Sequence, residues 1–147
     1  FVIQNQYMYS LLVSTHSHTR WLVLVAGLLA ILIPFLNNSL SKSSKLPGLV
    51  FMIFCDIQLL VGLLLYFGDS PFGLKAFAEG MGHVMKTGYL RKIAVEHFIL
   101  MLAALTFVHI GYSKVKNSDT AAKVKKTSLI FFGIALLLIL AGIPWVR

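Results

Sequence analysis

Four long apolar runs, parted by short polar stretches, set the pattern of this chain. A helix needs about 20 mostly apolar residues to cross a hydrocarbon layer of about 30 Å, and each run has that length. The windows are Arg20–Asn37, Gly48–Phe67, Lys92–Tyr112 and Ser128–Val146. A helix of a water-soluble bundle keeps a polar stripe toward solvent. The fourth window holds no charged residue between Ser128 and Val146, so it has no such stripe. The pattern predicts an all-α fold: an integral membrane four-helix bundle, one domain over residues 1–147, with both termini on the same side. Pro34 falls in the last turns of the first window, where it can kink or end the helix.

The connections give an orientation. Asn38–Pro47 carries Lys42 and Lys45, and Ser113–Thr127 carries five lysines against Asp119 alone. Cytoplasmic loops are enriched in Lys and Arg, which places these two loops inside and both termini outside, in the periplasm of a bacterial inner membrane. The bias is modest, because Gly68–Arg91 on the other side holds Lys75, Lys86 and Arg91. Arg20 with Trp21, Tyr66, Tyr89, Tyr112, and Trp145 before Arg147 mark the interfaces. Gly73–Thr87 predicts a short interfacial helix weakened by its glycines, and Tyr9–Thr15 a separate interfacial turn. No A-x-A-like cleavage site follows the first run, so it is expected to stay as a helix. Met8 opens a plausible start, which would make residues 1–7 an upstream extension.

Composition agrees. Hydrophobic residues make up 58% of the 147 and charged ones 12%, about half the charged share of a soluble domain. The excess apolar area has to face lipid. The net charge of +8 reads as topology control and contact with anionic headgroups, because no aromatic–basic interleaving suggests nucleic acid. Cys55 is the single cysteine; that excludes an intramolecular disulfide, a cysteine metal cluster and covalent c-type haem attachment.

Ionisable groups inside a bilayer are functional candidates by default. Here they are the His16/His18/Arg20 cluster, Asp56, the Glu96–His97 pair and His109. His16–Arg20 opens the first span and Glu96–His97 the third, at similar depth. Imidazoles from two helices are the usual axial ligands of a b-type haem. Gly27 and Gly62 would give a flat group room, and Arg20 would pair with a propionate or with Glu96. The bland alternative is hydrogen-bonded polar residues at helix ends. On a helix His16 and His18 point about 200° apart, so only one can face the bundle. His109 follows His97 by about 18 Å of rise and 120° of rotation, which argues against a two-haem stack; it is expected as an interface histidine near the cytoplasm. Asp56, mid-span, is expected to be protonated, paired or open to a cleft. It would serve in proton transfer, as a partner to a quinone or ligand histidine, or merely as a bond to a neighbouring helix. Met81-Gly82-His83-Val84-Met85 has ligand types suited to Cu(I), to which His16 and His18 could add nitrogens. No nucleophile triad, P-loop or zinc motif occurs.

The segments MYSLLVSTHSHTRWLVL, DIQLLVGLLLYF, LRKIAVEHFILMLAAL with HIGYSK, and the closing IPW resemble a family of small four-span proteins from Bacteroidetes labelled cytochrome b-like. The resemblance runs from about Met8 to the end, carried mostly by H-S-x-x-R-W and V-E-H. It implies a haem, points to His16, Arg20, Trp21, Glu96 and His97, and favours His16 over His18. Members of that family often have a histidine where this chain has Asp56, so a ligand there would be missing.

The leading expectation is a membrane electron-transfer protein or subunit holding one haem b between the first and third spans. His16 and His97 would be its metal ligands, Arg20 a propionate contact, and a quinone or another membrane subunit of a redox complex its partner. The alternatives are a cofactor-free accessory subunit of a larger membrane complex and a metal-handling or transport-related protein. All point to a carrier or accessory subunit rather than a stand-alone enzyme.

Overall fold

The computed structural model describes residues 2–68 and 70–145, with side chains described from residue 6 onward. Val146, the last residue of the fourth window, and Arg147 lie outside these. The order is α1 (Val2–Leu36), α2 (Lys42–Phe67), a 3-10 turn (Leu74–Glu79), α3 (Met81–Lys86), α4 (Gly88–Lys116) and α5 (Ala121–Gly142). No strand occurs among the described residues. Four helices, α1, α2, α4 and α5, are long and apolar enough to cross a membrane, which makes the chain a multi-pass membrane protein. Within the most apolar windows of these helices only 17–28% of residues are buried. The rest of that surface, with Val25, Leu28, Leu60 and Leu137 exposed, has lipid as its solvent.

α1, α2 and α4 outrun the expected windows, because polar end residues continue the helix once their backbone groups are paired within it; α5 starts seven residues early, at Ala121, but ends at Gly142, so Ile143, Pro144 and Trp145 of the expected window lie beyond the helix. α1 is 35 residues long, about 52 Å, and it absorbs Tyr9–Thr15, expected as a separate turn. Gly73–Thr87 is helical but broken: Gly80 takes φ +92°, a left-handed backbone open to glycine, and splits the 3-10 turn from α3. Two wide π turns lie within the spans, Arg91–His97 in α4 and Ser128–Phe132 in α5.

At one end of the bundle, lysines cap helix ends. Lys45 Nζ donates to the carbonyls of Lys116 and Ser118 at 3.0 and 2.9 Å, where cationic charge meets the negative end of α4. Thr120 starts α5 by accepting from Lys123 N at 3.2 Å. A hydrogen bond from Lys123 holds the Asp119 carboxyl below the usual carboxylate range.

The core sits next to this end. Phe51 and Phe132, both fully buried, meet edge to face with centroids 5.6 Å apart. A Cβ on Gly48 would lie 2.9 Å from the Phe132 ring and one on Gly111 3.0 Å from it, while one on Gly27 would lie 2.9 Å from Phe51. Three helices thus present bare backbone to two rings, the small-residue packing that holds membrane bundles without a hydrophobic drive between helices. Gly27 serves this core; the room it was expected to give a cofactor is taken by Phe51 and Leu136.

Phe132→Ala is expected to lower unfolding stability by about 3 kcal/mol through the cavity it leaves, read from thermal unfolding in detergent. A loss below about 1 kcal/mol would mean that this ring is not the keystone of the core.

Candidate functional site

Toward the opposite end the bundle opens into a cavity of about 270 Å³ walled by α1, α2, α4, the last turn of α5 with the residues after it, and the stretch that follows α2. Most of its wall is apolar, including Val13, Val23, Leu59, Met101 and Ile139. His16 and His97 face each other across it, with ring centroids 6.1 Å apart and ring planes crossed at 81°. His18 points away, as its spacing predicts: its Nδ1 lies 2.7 Å from the carbonyl of Ser14 on an exposed surface.

His97 is set by the end of α5. The last four carbonyls of a helix have no partner within it, and in lipid each must find one. All four do here. Ile139 O accepts from Ile143 N at 3.0 Å, and Leu140 O from Trp145 Nε1 at 3.1 Å. Ala141 O accepts from Lys92 Nζ at 3.0 Å and Gly142 O from His97 Nδ1 at 2.9 Å. Because the carbonyl can only accept, the Nδ1 of His97 carries the proton, and neutral imidazole keeps its lone pair on Nε2. Tyr66 steadies the same stretch, donating from its hydroxyl to Ala94 O at 3.1 Å and stacking on Phe98 at 4.4 Å.

His16 is set by α2. Gln58 Nε2 donates to the His16 carbonyl at 2.8 Å and its Oε1 accepts from Thr19, which pins α1 to α2 at this level. The ring lies over bare backbone: a Cβ on Gly62 would come 3.2 Å from His16 Cε1. Arg20 is the one charged side chain on the cavity wall among the described residues. Its guanidinium lies over the rings of Trp21 and Trp145, 5.4 and 5.6 Å from their centres. It makes no ion pair among the described residues, and its Nε is buried without an acceptor.

Other expected partners separate. Glu96 does not meet Arg20; it pairs with Arg91 Nε at 3.0 Å and Lys92 Nζ at 3.5 Å, neighbours on its own helix. His109 lies away from the cavity with its Nε2 2.8 Å from Asp56 Oδ1, which gives Asp56 a partner on a neighbouring helix. Met81 and Met85 are exposed, and His83 lies 3.4 Å from Glu79. No group of three or more His, Cys, Asp or Glu suited to a metal occurs among the described residues. Sequence reasoning missed the bonds of Gln58 across to α1 and the Gly142 carbonyl as a partner, since a backbone acceptor is invisible in residue types.

His97→Phe keeps an aromatic ring at the site and strips Gly142 O of its donor. Measured on protein freed of any bound cofactor, it is expected to cost about 1–3 kcal/mol of stability; unchanged thermal unfolding would contradict the capping role. In comparison with known proteins, no family model, no curated protein and no solved structure matches this chain.

Proposed function

We propose that this chain is a membrane electron-transfer protein that holds one b-type haem between α1 and α4. The observation that carries the reading is the facing of His16 and His97 at 6.1 Å across a cavity whose one charged wall residue, among those described, is Arg20. With metal–imidazole bonds of about 2.0 Å, two rings this far apart would both be within reach of one metal ion, so His16 and His97 are the residues that would hold it. Two imidazoles are a meagre set for a bare ion, and a porphyrin brings its own four nitrogens. An apolar wall with a single cation suits a flat apolar body with an anionic edge. Gly62 supports the fit as well, because a side chain there would meet the His16 ring.

The bound haem would supply one-electron redox chemistry. The protein's own part is positioning. The Nδ1 bond to Gly142 leaves the Nε2 of His97 as the ligating atom, the kind of outer partner that orients metal-bound imidazole. Gln58 holds the stretch of α1 that carries His16, and Arg20 would attract the propionate charge. Val23, Met101 and Ile139 keep water from the site. A quinone or a second redox subunit in a bacterial inner membrane would exchange the electron, with the lysine end of the bundle in the cytoplasm.

A second reading, a cofactor-free accessory subunit, is favoured by the cap on α5, which gives His97 a structural task without a ligand. One spectrum separates the two. Purified protein is expected to show a reduced-minus-oxidised α-band with about one iron per chain, and His16→Ala or His97→Ala should abolish it while helix content stays. Gly62→Ala should alter the band or the midpoint potential by displacing His16. An absent α-band with no iron by elemental analysis would sink the proposal.

A further inference from the structure

The pair Asp56–His109 stands apart from the cavity and from the reading built on it. Asp56 lies 8 residues beyond Gly48 and 11 before Phe67, about 12 and 16 Å along α2 from the two ends of its apolar run, near the middle of a hydrocarbon layer of about 30 Å. The side chains of Asp56 and His109 stay 41% and 47% exposed on the outside of the bundle. Ile53 and Leu60 flank Asp56 at helical spacing, and Leu102 lies on the His109 stripe, all exposed. Thr106 on that stripe keeps its hydroxyl on Leu102 O at 2.9 Å. An ionisable pair facing lipid is costly, and such groups turn to protein or to a water-filled space. Within the described residues the pair makes one bond, between His109 Nε2 and Asp56 Oδ1; a net-neutral pair, the form that an apolar surround favours, holds two protons, one in that bond and one that leaves a single donor and a single acceptor between Nδ1 and Oδ2.

That remainder is self-complementary. A two-fold axis along the membrane normal brings the donor of one copy to the acceptor of the other, twice, as an isologous interface requires. We propose that two copies of this chain associate across the α2–α4 face through reciprocal Asp56–His109 contacts. Any other polypeptide would have to carry the matching donor and acceptor at the same depth, whereas a second copy carries both.

Full-length protein in lipid nanodiscs, counted by single-molecule photobleaching, tests this. Wild type is expected as two copies, and Asp56→Leu or His109→Leu should lower the paired fraction at least tenfold. The exchange of Asp56→His with His109→Asp should restore it. In a Cys55→Ala background, Leu60→Cys should cross-link between copies and Leu137→Cys, on α5, should not. The cross-links and the wild-type count decide the matter even if a leucine variant misfolds. Single copies of wild type, pairs that survive both leucine variants, cross-linking through Leu137→Cys instead, or a different polypeptide held on this face would each overturn the proposal.

Discussion

Lipid neither donates nor accepts a hydrogen bond, so every polar group carried into the bilayer must find its partner within the protein. The longer-range contacts of this bundle follow from that rule. The last carbonyls of α5 draw Lys92 and His97 out of α4 and the indole of Trp145 back toward its own helix. The carbonyls ending α4 draw Lys45 from α2. Gln58 closes the same kind of account between α1 and α2. Between helices already surrounded by hydrocarbon there is little hydrophobic drive. Such bonds, together with close contact at glycine, therefore choose the geometry.

The cavity is the other side of this choice. Near the lysine end, Phe51 and Phe132 fill the notches of Gly27, Gly48 and Gly111, and the helices close on each other. Toward the opposite end no pair of rings plays that part among the described residues. Tyr66 on Phe98 and Trp21 beside Trp145 hold the rim, with centroids 4.4 and 6.3 Å apart. The space between them collects the two imidazoles and the guanidinium. The polar bonds that fix the helix ends also aim these side chains inward, so site and scaffold share the same contacts.

Much of the fold is legible in residue order. The length of each apolar run and the lack of a polar stripe on the fourth dictate four spans. The angular separation of His16 from His18 assigns the inward ring, and that of His97 from His109 puts the two on different faces. What residue order could not give is pairing across helices. Asp56 and His109 are 53 residues apart and neither announces the other. Glu96 took near neighbours on its own helix over Arg20, since Arg91 and Lys92 are within reach without any help from packing. Gly27 and Gly62 look alike in sequence, yet one receives Phe51 and the other His16. Helix ends were also hidden, because α1 continues through a polar stretch that an apolar window stops short of.

All of this depends on hydrocarbon being the solvent of α1, α2, α4 and α5. Alkaline carbonate extraction of membranes from cells making the chain measures that most directly. The protein should stay wholly in the membrane pellet and leave it only with detergent. Recovery in the carbonate supernatant would contradict the account, because the exposed apolar faces of the spans would then be facing water.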